Sequence, residues 1–369
     1  MWLYKYKKQY HLNNWQQILF TNGDVRNMGS VKDLLVIAPP NKNKPGTAQF
    51  VFSDRYSVFD WGEMPDLIQD KGAAICITTA YFFEKLEEMG IPTHYRGLVE
   101  EDEIKRLAAL NSPQSRMELN LLRVLKPRII GDTYDYSIYK EERTNILIPL
   151  EIIYRNSLPE GSSVFRRLKA GSLRLEDIGL DKMPYPGQVL ERPVLDVSTK
   201  LEASDRYINW NDAKELAGLS EAELEEIVSI TLRINELISR EARRAGLTNE
   251  DGKLEFGFDE ARNLILVDTL GTLDECRFTY DGLPVSKEIA RIFYRNTNWY
   301  DAVEAAKKDD KVGWKDLVAI EPPALAPALR DAISMLYKAS CNEMTHRIWF
   351  DDVPAVKEIL EEIRGILQS

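Results

Sequence analysis

The stretch Lys253-Leu254-Glu255-Phe256-Gly257, followed after a polar segment by Leu264-Ile265-Leu266-Val267-Asp268 and then Asp274-Glu275-Cys276-Arg277, decides how this chain is read. Leu254 and Phe256 alternate with Lys253, Glu255 and Gly257, the period of a half-buried strand, and Glu260 to Asn263 supplies a turn. The reading is a hairpin that carries carboxylates. A register setting Glu255 opposite Asp268 would bring their Cβ atoms to about 5 Å on one face. Two hard oxygen ligands that leave room for water and phosphate oxygens suit magnesium held with a nucleotide better than a closed protein cage. The plainer alternative is an exposed hairpin edge with solvated charges.

Bulk properties bound the rest. A chain of 369 residues is long enough for two domains and a small third element, since single cores seldom grow past ~250–300 residues. Forty-eight basic against 59 acidic residues give a net charge of −11, which opposes nonspecific binding to nucleic acid or an anionic membrane. A polyanionic ligand therefore needs a local basic pocket. Cys76, Cys276 and Cys341 suggest neither a disulfide framework nor a zinc site, and a reducing cytoplasm fits them best. Met1 to Trp15 has no apolar signal core, and no segment approaches the ~18 apolar residues of a membrane span. The expectation is a soluble, unprocessed cytoplasmic protein.

The first 155 residues contain strand-like runs at Leu34–Ala38, Ala48–Phe52 and Ile146–Tyr154. Helical spacing is read at 77–89, through Tyr81, Phe82, Leu86 and Met89, and at 115–125, through Met117, Leu121, Leu122 and Leu125. After Asp205 the pattern turns more helical. Ser220-Glu221-Ala222-Glu223 is a capping box opening a long helix with Leu224, Ile227, Val228, Leu237 and Ile238 on its stripe, and Gly246 is a natural stop. Another helix starts near Ser286, and Asp309 to Pro327 reads as a connection. A closing helix at 354–367 groups Leu360, Ile363 and Ile366, for packing on its own core or an oligomer contact.

Other segments concentrate groups that hold anions. Gly29-Ser30-Val31-Lys32-Asp33 enters a strand, so its backbone could approach a phosphate while Lys32 supplies charge; an ordinary turn is the alternative. Ser53 to Asp60, including Asp54, followed by Asp70-Lys71-Gly72, reads as a ligand loop or as a solvated loop with capping residues. Arg155-Asn156 ends an apolar strand and precedes Gly161-Ser162-Ser163 and Arg166-Arg167. A guanidinium fork with glycine and serine donors fits phosphate, whereas surface ion pairs would explain Arg166-Arg167 equally well. Lys200, Glu202 and Asp205 extend the polar run.

Taken in order, these segments resemble the phosphoribosylaminoimidazole-succinocarboxamide synthase (SAICAR synthetase) family. Gly29 to Asp33 resembles its N-terminal Gly-Lys-Val-Arg-Asp segment, and Ser53 to Asp60 with Lys71-Gly72 its substrate loop. Arg155-Asn156 with Gly161-Ser162 resembles its Arg-Asn and Gly-Ser pair, and Lys253 to Gly257, Asp268, Asp274 and Arg277 complete a series covering roughly residues 25–310. Ser30, Thr269 and Leu273 depart from it, standing where a lysine, an acid and a proline are usual.

The resemblance implies an α+β fold, an antiparallel N-terminal sheet domain plus a larger α+β domain with an ATP cleft between them. The expected division is 1–145, 146–310 and a C-terminal helical extension at 311–369. It implies ligation of L-aspartate to a carboxyaminoimidazole ribonucleotide with ATP and Mg2+, small-molecule partners, and at most a homo-oligomer. Lys253, Glu255 and Asp268 would be catalytic, with Glu255 and Asp268 on the metal. Gly29 and Lys32 would join those two carboxylates on ATP. Asp54, Lys71, Arg155, Ser162, Lys200, Arg277, Lys287 and Arg291 would bind substrates. A kinase-like phosphotransferase and an inactive nucleotide-binding regulator are the alternatives.

Overall fold

The computed structural model describes residues 18–21, 24–28, 31–131, 133–310 and 313–368. Strands β1 (Ile18–Thr21), β2 (Asp24–Met28), β3 (Lys32–Ala38), β4 (Gly46–Phe52), β5 (Tyr95–Glu100), β6 (Glu103–Lys105) and β7 (Arg116–Leu121) form one antiparallel sheet. Their spatial order is β1-β2-β3-β4-β7-β5-β6. Helix α1 (Lys71–Glu88) packs on β4, β5 and β7, burying Tyr81, Phe82 and Leu86 as its spacing predicts.

Residues 116–121 are a strand, not part of the helix expected over 115–125. Met117 and Leu119 alternate into the core, and the segment pairs with β4 on one side and β5 on the other. Two flanking strands offer its backbone a full set of partners, which outweighs the ambiguous spacing of four apolar residues.

A small hairpin, β8 (Arg128–Ile130) and β9 (Thr133–Asp135), and the short helix α2 (Ile138–Glu141) lead into the second sheet. That sheet comprises β10 (Ile146–Leu147), β11 (Leu150–Leu158), β12 (Gln188–Thr199), β13 (Tyr207–Ile208), β14 (Thr248–Phe258), β15 (Leu264–Val267), β16 (Cys276–Tyr280) and β17 (Leu283–Pro284). Its path is β13-β12-β11-β14-β16-β17, with β10 and β15 also pairing to β14. The strand quoted at the outset is thus the centre of its sheet. Gly257 is required there, because a Cβ would lie 2.2 Å from Leu122 Cδ1 and 2.8 Å from the Ile146 carbonyl.

Helices α3 (Ser163–Lys169), α4 (Trp210–Ala217) and α5 (Glu221–Arg244) follow β11, β13 and α4 in turn. The Ser220–Glu223 capping box forms reciprocally, Leu224, Ile227, Leu237 and Ile238 are buried, and Gly246 at φ 73° ends the turn after α5. The chain continues through α6 (Glu288–Arg295), α7 (Asn298–Asp309), α8 (Pro327–Thr345) and α9 (Val356–Gln368). α8 packs on α1 and α5, and α9 on α8. Leu360 and Ile363 enter the main core, so the apolar stripe of the last helix is used within the chain.

The two sheets are joined directly. Thr93 pairs in parallel with Leu266 of β15, the His94 N–H donates to the Leu266 carbonyl at 3.0 Å, and the Leu266 N–H donates to Pro92 at 2.9 Å. The architecture is α+β, with the antiparallel N-terminal sheet and larger α+β unit that the sequence leads one to expect.

Candidate active site

Alternation along β14 sends Asp251, Lys253 and Glu255 to one side, while Leu254, Phe256 and Phe258 enter the core. β11 is paired alongside with Arg155 opposite Asp251 and Ile153 opposite Lys253, and Glu151 lies two residues further. β16 sets Arg277 opposite Asp251 from the other side. One strand face therefore carries two charge clusters about 13 Å apart, four residues at ~3.3 Å each.

At one end stand the carboxylates. Glu255 faces Val267, not Asp268, so the expected register is wrong by one residue. β15 stops at Val267, and Asp268 takes a left-handed backbone with φ 63°, a conformation seldom adopted by residues other than glycine. That turn frees Asp268 from the alternation that would put it on the opposite face. Its carboxylate is bonded by Lys32 of β3, which reaches across from the first sheet, stands 3.3 Å from Thr269 Oγ1 and lies over the Phe50 ring. Glu255 is bonded by Lys200 just beyond β12, which also stands 3.7 Å from Glu151. Lys253 donates to Glu151 at 3.0 Å and stands 3.8 Å from Glu275. Three lysines thus stand among four carboxylates, Asp268, Glu255, Glu151 and Glu275.

The electrostatics separate the two carboxylates. Burial pushes Glu255 up to about 8, with the Asp268 charge adding to the push and Lys200 opposing it. Burial also works against the Asp268 anion, but Lys32 and Lys200 overcome it and hold this acid well below its ordinary range. Burial disfavours the Lys253 ammonium, yet Glu275, Glu151 and Glu255 hold it well above the usual lysine range. Glu255 and Asp268 could hold a divalent cation between them. Among the described residues no group of three or more His, Cys, Asp and Glu is placed to hold a metal ion.

At the other end stand the arginines. Arg155, 2% exposed, lies 3.2 Å from Asp196 and 3.4 Å from Asp251, and its Nη2 donates to Ser163 Oγ at 3.2 Å. Arg277 grips Asp251 with two nitrogens, Nε at 2.7 Å, and Arg167 bonds Asp196 while stacking over Tyr207. Ser162 caps α3, its hydroxyl accepting from the Val164 N–H at 3.4 Å. Gly161 leaves room beside the Arg277 guanidinium. Three guanidinium groups meet Asp196 and Asp251 here, with Glu288 and Glu250 near enough to Arg277 to act on its charge.

The remaining expected residues form a third group. Asp54 accepts from the backbone N–H groups of Asp70 at 3.2 Å and Gly72 at 3.0 Å, so it satisfies the start of α1. Gly72 has no room for a Cβ, which would lie 2.8 Å from the Phe52 carbonyl. Lys71 is 1% exposed and donates to Asp274 at 2.7 Å, so in this arrangement it is sealed beneath the surface. Lys287 is exposed and forms no ion pair with a described residue, while Arg291 pairs with Glu288 at 3.0 Å. Although the side chain reaches the surface, loss of water around its ammonium lowers Lys287, with Asp274 and Glu275 opposing that effect. Gly29 and Ser30 lie outside the described residues.

Glu151, Asp196, Asp251 and Tyr207 were missed as site residues. Asp251 alone carried a signal, its two-residue spacing from Lys253; the others arrive through strand pairing. A separate cavity of about 620 Å³ lies among Tyr81, Lys85, Arg240, Glu241, Arg244 and His346. Its buried Glu241 is already met by Arg240, Arg244 and His346, so we place the chemistry on β14.

A family profile described as SAICAR synthetase matches residues 27–306. A relative from Archaeoglobus fulgidus, provisionally named as a phosphoribosylaminoimidazole-succinocarboxamide synthase, is 51% identical over 92% of this chain and 100% of its own length. The phosphoribosylaminoimidazole-succinocarboxamide synthase of Thermoplasma acidophilum is 32% identical over 82% of this chain and 94% of its own. Among solved structures, the SAICAR synthase from Saccharomyces cerevisiae complexed with SAICAR is similar at TM-score 0.60 and 20% identity, covering 91% of this chain and 99% of that one. A SAICAR synthetase in complex with ADP is similar at TM-score 0.52 and 24% identity, covering 81% and 100%. The structural likenesses establish the fold, and the family profile with the sequence relatives establishes that this chain belongs to the SAICAR synthetase family.

Proposed function

We propose that this chain joins L-aspartate to 5-amino-1-(5-phospho-D-ribosyl)imidazole-4-carboxylate with consumption of ATP, giving SAICAR, ADP and phosphate in purine biosynthesis. The observation that carries the reading is the double cluster on β14, with acids and lysines at one end and guanidinium groups at the other. A carboxylate is a poor electrophile at neutral pH. Transfer of the γ-phosphoryl group to one of its oxygens creates a leaving group that the uncharged amine of aspartate displaces, with phosphate departing.

In this reading Lys32 positions the nucleotide phosphates, and Asp268 and Glu255 would hold Mg2+, which when bound offsets charge on the phosphate oxygens. Lys253 and Lys200 keep the acidic end close to neutral before ligands arrive, so phosphate oxygens do not meet uncompensated carboxylates. Arg277, about a third exposed, receives the ribonucleotide phosphate, with the buried Arg155 and Ser162 behind it completing the positive pocket. Both guanidinium planes are already aligned by Asp251, so little side-chain entropy is lost when the anion binds. Lys287 and Arg291 face a substrate carboxylate. Buried, unpaired Cys76, Cys276 and Cys341 suit a reducing cytoplasm.

The test is ADP release with each of the three substrates omitted in turn, together with detection of the amide product. Full dependence on all three is expected. ATP turnover that persists without aspartate would make the chain a phosphotransferase, and binding without turnover would make it a regulator.

A further inference from the structure

The family match ends at residue 306, yet α8, at 327–345, reaches the residues that the sequence assigns to substrate. Tyr337 Oη donates to Asp274 Oδ1 at 2.6 Å, and Lys71 Nζ donates to Asp274 Oδ2 at 2.7 Å. Both oxygens of this carboxylate are therefore engaged. One turn away on the same helix, Ser334 Oγ donates to the Gln69 carbonyl at 2.7 Å, and Lys338 stands 3.5 Å from Asp70. Upstream, the Leu325 N–H donates to Asp66 at 3.2 Å, and Asp66 also accepts from Tyr56 at 2.5 Å. The segment after 306 thus grips the 54–70 loop at Asp66, Gln69 and Asp70, and separately grips Asp274.

We propose that α8 is part of the active centre, and that Tyr337 is a positioning residue which holds Asp274 on Lys71 and away from Lys287, leaving Lys287 to receive a carboxylate of the amino-acid substrate. The proposal rests on the ligase reading above. Its physical basis is a competition for one anion. Lys71 is sealed and needs a counter-charge, whereas Lys287 is exposed and forms no ion pair with a described residue. Asp274 is close enough to Lys287 for each to shift the other's protonation. With the tyrosine hydroxyl gone, Oδ1 of Asp274 loses its donor, and Lys287 is the cation to which it can turn. That pairing would neutralise the charge the incoming dicarboxylate needs.

The test is Tyr337→Phe in the full-length chain, which removes one oxygen and keeps the ring in the core. Expected is a rise of about fivefold or more in the KM for L-aspartate, while kcat and the KM values for ATP and ribonucleotide move by less than about twofold. If this variant does not fold, Ser334→Ala tests the attachment of α8 to the 54–70 loop at Gln69 instead, with a smaller rise in the same constant expected, and an unchanged constant would overturn α8 as part of the active centre. A folded variant with unchanged aspartate KM overturns the proposal. So does an equal loss in every constant with a lowered melting temperature, which would leave Tyr337 a core residue only. A parent chain without aspartate-dependent turnover would instead defeat the ligase reading, independently of these variants.

Discussion

The two ends of β14 solve the same problem, a buried set of opposite charges, with different cations. At the Glu255 end the cations are Lys32, Lys200 and Lys253; at the Asp251 end they are Arg155, Arg167 and Arg277. A lysine ammonium is a point charge on a flexible stem, so it can yield its carboxylate to a metal ion and turn to a phosphate. An arginine fork is planar and already paired, and it offers its remaining donors without letting go. The lysine end is built to exchange partners and the arginine end to keep them.

The sharpest way to break this contrast is at the exchanging end. Glu255→Ala or Asp268→Ala should lower turnover of the folded protein by at least about a hundredfold, at some cost in stability because Lys200 or Lys32 loses its carboxylate, since each removes an acid proposed to hold the metal. Steady-state ADP release across a magnesium titration measures it, and near-normal rates at limiting magnesium would refute the assignment. Asp274→Ala should destabilise by about 3–5 kcal/mol in denaturant unfolding, since it strands the sealed ammonium of Lys71. Both oxygens of Asp274 are occupied, by Lys71 and Tyr337.

The keeping end is tested by Arg155→Lys, which preserves charge and loses the fork. Ribonucleotide binding should weaken by ~1.5–3 kcal/mol in calorimetry, with ATP affinity little changed. Equal weakening for both ligands would erase the distinction between the ends.

Protonation sharpens the contrast further. Glu255 is pushed up to about 8, above its ordinary value of 4.5, so between those values the folded ligand-free chain holds a proton that the unfolded chain has released. Its contribution to stability is full below pH 4.5 and is lost as pH rises toward 8, with a slope approaching ~1.4 kcal/mol per pH unit. Glu255→Gln should lack that slope, so the difference in stability between parent and variant should itself change by that slope across the window, and magnesium affinity of the parent should rise over the same window. The smallest effect belongs to Thr269→Ala, which loses one contact of 3.3 Å with Lys32 and should change stability by less than ~0.5 kcal/mol.

Much of this was legible in the chain. The alternation at 253–257 identified the central strand, and Ser220 with Glu223 identified the start of α5, because both signals are local and answer to backbone geometry alone. The error at 115–125 has the opposite origin: Met117 and Leu119 become strand residues through neighbours that lie elsewhere in the sequence. Register was unreadable for a related reason. Nothing in Val267-Asp268 announces a left-handed turn, and without it Asp268 would point away from Glu255. Asp196 and Tyr207 reach the arginines only through pairing of β11, β12 and β13, so no spacing rule could have nominated them.

The pairing of residues 92–94 with Leu266 acts as a weld two residues upstream of Asp268. A second bridge, Arg123 with Ile146, joins the sheets beside β14 as well, and breathing that kept both joins would pivot about them, since opening either would expose paired backbone groups. Points near a pivot travel least. The carboxylate end would then stay still while the arginine end and the 54–70 loop swing, so substrate entry and product escape would occur on the side away from the weld.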